Sequence, residues 1–216
     1  MPVVVPATAE GVVAAIVALA LGASGRIRLA IDGAPASRPA ELADLVVAGL
    51  APRPALHLPT ELYWQPASLR FESGREDPDA WLTRWLDVAA LRREALDPFP
   101  GSGRVLPGLR DPVSDRSLRG RPVDLAEGSV LVVSGSALLG RGLPFDLVVH
   151  LHLSPAALLR RTPDTEHWML RGIERYEGQA RPAEVADLVV RADDPRHPAL
   201  VHRTGPPSER GSQTAG

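Results

Sequence analysis

The sequence contains no cysteine, no lysine and no asparagine, and the first two absences each remove a class of chemistry. Without cysteine the chain can form neither disulfides nor thiolate metal sites, which fits the reducing cytoplasm. All 24 residues in the Lys+Arg total are arginines, so no ammonium group is available to bind a phosphate or to form a Schiff base. The formal net charge of -2 argues against a nucleic-acid partner.

Long hydrophobic runs are scarce as well. The most apolar segment, residues 11–21, is too short to cross a bilayer, which takes about 20 residues. No basic residue precedes it as in a signal peptide, and Glu10 stands at its start. Thr8 can cap a helix that carries Glu10 in its first turn. We therefore predict that residues 1–25 form an N-terminal helix packed on the main domain, with no membrane partner.

Hydrophobic segments alternate with helical patterns along the remaining chain. A chain of 216 residues, 44% of them hydrophobic, is long enough for one large domain. The apolar run at 129–134 is typical of a parallel strand that is buried on both faces. The alternation predicts an α/β fold, a doubly wound parallel sheet with 26–31 and 129–134 at its centre and a small helical lid. The predicted strands are 26–33, 55–58, 129–134, 145–153 and, as the last, 186–191; the predicted helices are 39–50, 155–161, 165–176 and one from Asp77 that carries Trp81, Trp85, Val88 and Leu91 on one face.

The end of the chain differs in composition from this domain. Residues 204–216 are polar and rich in glycine, proline and serine, a composition typical of disordered segments. We predict a folded domain over 26–203 and a disordered tail over 204–216.

Three loops of the predicted sheet carry the strongest functional signal. Ligands of such sheets bind at the carboxyl ends of the strands, which here are Ile31, Leu58 and Val133. The segments around these loops, together with later ones, resemble the uridine kinase family and its nucleoside kinase relatives, in particular a bacterial branch. The order and spacing of the motifs over about residues 26–200 carry the resemblance. The matching segments are Ile31-Asp32-Gly33, Glu61-Leu62-Tyr63, 65–81 with its continuation WLDVAALRREALDPF, Asp111 and Asp115, VLVVSG at 130–135, Phe145-Asp146, Arg160-Arg161, Arg175-Tyr176 and 186–190.

This resemblance implies a P-loop kinase fold and a set of site residues. Glu61 stands where the family has the carboxylate that accepts the proton of the nucleoside hydroxyl. The phosphate-binding positions correspond to Gly33, Ser37, Arg38, Arg160 and Arg161. The substrate-binding positions correspond to Tyr63, Arg70, Asp111, Arg171 and Arg175.

The predicted phosphate loop departs from the family pattern. A P-loop reads G-x-x-x-x-G-K-[ST], but from Gly33 onward the last three positions hold Arg38, Pro39 and Ala40. Pro39, like Pro35 before it, has no N–H to offer a phosphate. Ala40 lacks the hydroxyl that holds Mg²⁺. Phosphoryl transfer depends on positioning and charge stabilisation, so these substitutions affect the mechanism itself.

Several of these residues have two interpretations. Arg38 can bind phosphate as a bidentate fork, or it can be a solvated arginine at a helix start. Glu61 is either a catalytic base or an exposed loop residue. Tyr63, Trp64 and Phe71 either line a nucleobase pocket or cover the sheet edge.

The remaining polar residues suggest no further site. Ser134 replaces the acidic residue of the VLLVDG strand, which weakens the expected metal site. His150 and His152 alternate on one strand and face the same side, but the sequence shows no third ligand, so we predict packed histidines and no metal site. The sequence shows no Ser-His-Asp arrangement, HExxH or GxGxxG motif.

Three functions remain open at this point. The first is a uridine kinase-like pseudoenzyme that binds a nucleoside or nucleotide with little or no ATP-dependent transfer. The second is an active nucleoside kinase with an arginine-containing loop, which would use Mg-ATP as its cofactor. The third is a protein-interaction scaffold without a small-molecule ligand. A homo-oligomer is compatible with each of them.

Overall fold

The computed structural model describes residues 3–202, and its centre is a seven-stranded sheet. The sheet order is β1-β9-β8-β7-β2-β6-β3, and strands β4 and β5 form a separate antiparallel pair. The strands are β1 Val3–Pro6, β2 Ile27–Gly33, β3 Ala55–Pro59, β4 Arg104–Val105, β5 Val123–Asp124, β6 Val130–Gly135, β7 Leu147–His152, β8 Leu188–Arg191 and β9 Ala199–His202. Strands β3, β6, β2, β7 and β8 run parallel, β9 pairs antiparallel with β8, and β1 pairs antiparallel with β9.

Helices and short helical turns connect these strands. The helices are α1 Ala9–Leu21, α2 Pro39–Gly49, α3 Ala67–Arg70, α4 Pro78–Arg84, α5 Val88–Leu91, α6 Phe99–Ser102, α7 Pro155–Arg161, α8 Leu170–Ala180 and α9 Pro182–Val185. The 3-10 turns are Pro35–Ser37, Thr60–Tyr63 and Asp164–Met169, and Arg92–Leu96 forms a π-helical turn. Within residues 3–202, no helix combines the length and the apolar character that a membrane crossing needs.

The predicted fold class is confirmed by the central strands. Strands β2 and β6 lie side by side in parallel, with Ile31 opposite Ser134. Both strands are apolar on both faces because helices cover the sheet on each side. On one face Ile16 of α1 and Val46 of α2 pack on the sheet. On the other face the segment that contains Phe99 packs on it.

Helix α1 begins where Thr8 was predicted to cap it. The Thr8 hydroxyl accepts a hydrogen bond from the Gly11 N–H at 3.0 Å. Strand β1 precedes the helix and pairs with β9. The N-terminal segment is therefore joined to the sheet by backbone hydrogen bonds as well as by helix packing. The predicted tail, 204–216, lies outside the described residues.

Two predicted elements differ from the structure. The helix that begins after Asp77 ends at Arg84 instead of continuing through Leu91. It ends there because the backbone beyond it pairs with the loop after β3: the Gln65 N–H donates to the Trp85 carbonyl at 2.7 Å. Asp87 then caps α5. The prediction that 186–191 contains the last strand was also wrong, because β9 follows and extends the sheet.

Candidate functional site

A closed 3-10 turn follows β2 at the position of the predicted phosphate loop. The Ser37 N–H donates to the Ala34 carbonyl at 2.8 Å, and the Arg38 N–H donates to the Pro35 carbonyl at 2.9 Å. Pro35 and Pro39 have no N–H. In a P-loop, successive N–H groups point at phosphate oxygens. In this turn these four positions either lack the N–H group or use it within the turn.

The side chain of Ser37 fills the inside of the turn. Its hydroxyl donates to the Ala34 carbonyl at 2.7 Å and would collide with a β-carbon placed on Gly33. Gly33 is thus required here for close packing, and its carbonyl accepts from the Ser136 hydroxyl at 2.8 Å. The Ser37 hydroxyl and the N–H groups of Ser37 and Arg38 are thus used within the turn, and Ala40 has no side-chain oxygen.

Arg38 turns away from the loop. Its backbone has a left-handed conformation with φ of 61° at the start of α2, which is uncommon for a residue other than glycine. Its guanidinium pairs with Glu41, and the side chain is 66% exposed. Arg38 is therefore a solvated residue paired along the helix.

Arg160 and Arg161 lie near Arg38 at the end of α7. Arg160 donates to the Asp193 carbonyl at 3.2 Å, and Arg161 donates to the Ala192 carbonyl. Burial lowers the pKa of Arg161, and the charges of Arg38 and Arg160 lower it further. The three predicted phosphate-binding arginines thus share one basic patch, in which each guanidinium already has a protein partner.

A cavity of about 270 Å³ lies next to the closed turn. All three loops identified from the sequence contribute to it: Pro35 follows β2, Thr60 follows β3 and Ser136 follows β6. The lining residues are Pro35, Thr60, Glu61, Trp64, Trp81, Trp85, Leu86, Ser136, Ala137, Arg141, Glu166, Trp168 and Met169. The set includes all four tryptophans of the chain, and we call it the tryptophan cavity.

The tryptophans form a connected aromatic wall. The ring of Trp85 packs edge-on against that of Trp64 with 5.2 Å between centroids, and it lies 5.8 Å from that of Trp168. Arg70 supports this wall from behind, with its guanidinium 5.1 Å from the Trp64 ring and 5.2 Å from the Trp85 ring. Because Arg70 is 4% exposed and bonded to the Gln65 carbonyl, it holds the wall and does not line the cavity.

Two carboxylates and one guanidinium are the charged groups that line the cavity. Glu61, Glu166 and Arg141 line it. Burial raises the pKa of Glu61 above its ordinary value of 4.5, and a backbone hydrogen bond offsets part of this rise. Burial lowers the pKa of Arg141, and the negative charge of Asp32 opposes that change. The cavity therefore combines stacking surfaces with one partly desolvated acid and one partly desolvated cation.

The structure places the other predicted substrate-binding residues outside this cavity. Tyr63 is fully buried in the core, and its hydroxyl donates to the Leu106 carbonyl. Asp111 accepts hydrogen bonds from the N–H and hydroxyl of Ser114 at 2.6 and 2.7 Å and so stabilises its own turn. Both groups thus have partners within the protein, and neither lines the tryptophan cavity.

The predicted lid arginines lie on α8. Arg171 is exposed, and Arg175 pairs with Asp79, which joins α8 to α4.

Phe71 packs against Trp85 with ring centroids 5.5 Å apart and, like Arg70, supports the aromatic wall. Of the predicted substrate and base residues, the structure brings only Glu61 to the cavity, together with Trp64 from the predicted aromatic set.

Sequence reasoning missed the opposite wall of the cavity. Arg141 follows β6, whose carboxyl end is one of the three predicted ligand-binding loops. Its position in the sequence could therefore have indicated that it belongs to the site. Glu166 and Trp168 lie on the 3-10 turn Asp164–Met169, which the apolar pattern predicted as the start of a helix. No local signal indicates that this turn faces the loop after β3.

A second polar cluster is buried beneath the closed turn that follows β2. The Asp32 carboxylate accepts from the Leu138 N–H at 2.9 Å, from the Tyr176 hydroxyl at 2.8 Å and from Nδ1 of His150 at 2.8 Å. Nε2 of His150 lies 3.3 Å from Oε1 of Glu177. Burial by itself lowers the pKa of His150, but the hydrogen bond with Asp32 and the charge of Glu177 outweigh it and raise the pKa to about 9.

A Ser-His-Asp chain that the sequence did not indicate also appears. His57 contacts Asp44 Oδ1 through Nδ1 and Ser134 Oγ through Nε2, both at 2.7 Å. A nucleophile must reach its substrate, but Ser134 is 0% exposed, on a strand covered by α2. These hydrogen bonds therefore join β3, β6 and α2 and have a structural role.

Comparisons with known proteins support the fold. No family model and no curated protein match the sequence. Among solved structures, a protein from Bacillus stearothermophilus named as a possible uridine kinase is 19% identical with a TM-score of 0.66, over 82% of this chain and 96% of that one. A protein from Silicibacter sp. TM1040 named as a candidate fructose transport system kinase is 22% identical with a TM-score of 0.55, over 81% and 94%. The chain thus has the P-loop kinase-like fold that was predicted from the resemblance.

Proposed function

We propose that this chain binds a nucleoside or nucleotide in the tryptophan cavity and has little or no ATP-dependent phosphoryl transfer. The observation that carries the proposal is the cavity itself, a space of about 270 Å³ that four tryptophans line together with Glu61 and Arg141. Ligand sites are typically concave and aromatic, with a few convergent polar groups. The cavity lies at the carboxyl edge of the parallel sheet, where ligands of such folds bind.

The chemistry of the cavity matches a base attached to a sugar. Indole rings offer flat apolar faces on which a nucleobase can stack. The Glu61 carboxylate can accept a hydrogen bond from a sugar hydroxyl, and Arg141 can donate to a base carbonyl or to a single phosphate. None of these contacts needs a triphosphate, so the cavity can bind a ligand although the loop beside it is closed.

The closed turn supports the non-catalytic part of the proposal. A kinase must bind the phosphates of ATP through backbone N–H groups, a lysine and a metal held by a hydroxyl. Here the N–H groups of Ser37 and Arg38 are bonded within the turn, and the sequence has no lysine.

One observation favours an alternative. The basic patch of Arg38, Arg160 and Arg161 lies beside the turn, and this is what an active kinase with an arginine-containing loop would use for phosphate. The partners that these guanidiniums already have argue against that use. In this alternative Mg-ATP would bind with an affinity that depends on Arg38.

The experiment is a binding screen that uses the intrinsic fluorescence of the four tryptophans together with thermal shift. The compounds are uridine, cytidine, adenosine, their monophosphates, ribose and fructose, each with and without Mg-ATP. We expect at least one nucleoside or nucleotide to quench the fluorescence and raise Tm. Glu61→Ala should weaken that ligand about tenfold or more, because a hydrogen bond to a charged group contributes about 1.5–3 kcal/mol.

Two variants serve as references for this screen. Trp64→Ala removes one stacking surface of the cavity and should weaken the same ligand. Glu76→Ala removes an exposed carboxylate outside the cavity and should change nothing. If no compound binds, the scaffold function replaces this proposal. If a ligand binds equally well to Glu61→Ala and Trp64→Ala, its site lies elsewhere.

A further inference from the structure

We propose that His150, His152 and Glu177 bind a divalent transition-metal ion of the zinc class. The two histidines alternate on β7 and face the same side of the sheet. Helix α8 crosses above them and supplies Glu177 as the third ligand. One ring nitrogen of each histidine and one carboxylate oxygen of Glu177 lie within 4.8 Å of one another.

Two ring nitrogens of this cluster form no hydrogen bond within residues 3–202, and one of them, Nε2 of His150, lies 3.3 Å from Oε1 of Glu177. His150 is 0% exposed, and within residues 3–202 its Nε2 has no hydrogen-bond partner. The same holds for Nδ1 of His152. Leaving a buried polar atom unsatisfied costs free energy, and buried atoms of this kind need a specific reason. A bound cation would give the His150 nitrogen and the nearby Glu177 carboxylate a common partner.

The surroundings of His150 match those of a metal ligand. Its Nδ1 donates to Oδ2 of Asp32 at 2.8 Å, so Nε2 is the nitrogen that faces Glu177 and that a metal would bind in place of a proton. Asp32 is itself held by the Tyr176 hydroxyl and the Leu138 N–H. Histidines that bind metals commonly donate their second N–H to a carboxylate in this way, which fixes the tautomer and the ring orientation.

The ligand types select the class of metal. Two imidazoles with one carboxylate suit Zn²⁺ and its neighbours in the first transition row, whereas Mg²⁺ and Ca²⁺ prefer sites made of oxygen atoms. Three protein ligands with a further position left open are typical of catalytic rather than structural zinc sites. His152 and Glu177 line a cavity of about 370 Å³, which gives an ion an entry path and leaves room for its fourth ligand.

This site is distinct from the tryptophan cavity. Ala34 lines the cavity next to the histidines, and Pro35 lines the tryptophan cavity, so the closed turn separates the two. The metal would be held by β7 and α8, not by the phosphate loop. The inference therefore does not depend on the proposed function.

The test uses the full chain without an affinity tag and treated with EDTA, and the metal alone is the probe. Titration with Zn²⁺ should show one bound equivalent, and Co²⁺ should give the visible absorption bands of a low-symmetry site with nitrogen ligands. His152→Ala and Glu177→Gln should abolish the one-equivalent step. Asp32→Asn, which keeps the three metal ligands but alters the acceptor of His150 Nδ1, should weaken binding by roughly 10–100-fold.

Matched variants keep the test specific. Glu174→Gln alters a carboxylate on the same helix and in the same cavity, and His167→Ala removes a half-buried histidine outside the cluster; both should bind one Zn²⁺ as the wild type does. The ligand variants chosen are partly exposed, and their circular dichroism would show that they fold. The proposal is overturned if the wild type binds less than one equivalent, or if His152→Ala and Glu177→Gln bind as tightly as the wild type.

Discussion

The closed turn and the tryptophan cavity are neighbours at the carboxyl edge of one sheet, yet they differ in how they use their polar groups. In the turn, the Ser37 hydroxyl and the N–H groups of Ser37 and Arg38 are bonded to carbonyls of the same turn. In the cavity, the side chains of Glu61 and Arg141 reach a space large enough for a small molecule. The polar groups of the turn form hydrogen bonds with one another, whereas in the cavity the charged groups of Glu61 and Arg141 are partly desolvated.

This difference teaches that two neighbouring loops at one edge of a sheet can use their polar groups in opposite ways. Polar groups that are satisfied internally stabilise a fold, whereas desolvated charges reduce stability and are typical of binding sites. By that criterion the turn is a structural element, whereas the cavity has the properties of a ligand site, as the proposed function requires.

The largest expected effect concerns ATP. We expect no measurable Mg-ATP binding at micromolar concentration, because that affinity corresponds to about -8 kcal/mol, whereas the turn uses the N–H groups of Ser37 and Arg38 internally and has neither a lysine nor a hydroxyl at position 40. Calorimetry with Mg-ATP is the measurement, and a nucleoside hit from the screen is its positive control. A clear micromolar isotherm that disappears in Arg38→Ala would break the comparison and favour the active kinase.

The second-largest expected effect concerns the packing of the closed turn. Gly33→Ala should lower the free energy of unfolding by about 1–3 kcal/mol, because a β-carbon there meets Ser37 Oγ and lies 2.9 Å from the Leu151 β-carbon. Urea denaturation measures the change. Adding Ser37→Ala should restore part of the loss, since it removes one of the two collisions.

A glycine with free space gives the control for this packing test. A β-carbon on Gly178 meets nothing within 4 Å, so Gly178→Ala on α8 should be neutral or stabilising by up to about 1 kcal/mol. If Gly33→Ala unfolds at the same urea concentration as the wild type, the turn is not closely packed around Ser37, and the contrast between the two regions loses its basis.

The parts of the fold that could be predicted are those with local causes. Strands β2 and β6 are apolar on both faces because each lies between two layers of helix, and this leaves a continuous apolar run in the sequence. Helix α4 begins after Asp77 because that carboxylate accepts from the N–H groups of Asp79 and Ala80. Such signals lie within a few residues of the feature they determine.

The parts that could not be predicted depend on contacts between distant residues. The break after Arg84 arises because the backbone of Trp85 pairs with Gln65, while the helical spacing of the apolar side chains continues through it. Glu177 joins the two histidines only because α8 crosses β7, so the sequence showed a pair where the structure brings three groups together. The polar chain through His57 has the same origin, since its partners come from α2 and β6.

The smallest expected effect is the pH dependence of stability that the Glu61 carboxyl causes. Burial raises the pKa of this carboxyl in the folded protein, so the folded state binds the proton more readily than the unfolded chain does. At a pH below the ordinary pKa of 4.5 the carboxyl is protonated in both the folded and the unfolded state, so no charge has to be desolvated on folding. As the pH rises through the raised pKa, the folded state must hold a partly desolvated charge and loses stability.

Glu61→Gln should therefore be slightly more stable than the wild type at neutral pH, and the difference should vanish in acid. Urea denaturation from pH 4 to pH 8 measures it, with Glu76→Gln as an exposed reference that should show no such trend. A variant that gains stability but loses the nucleoside would indicate that the carboxylate is kept for binding at the expense of stability. A variant as stable as the wild type at every pH would mean that Glu61 is solvated, and the cavity would then resemble the rest of the surface.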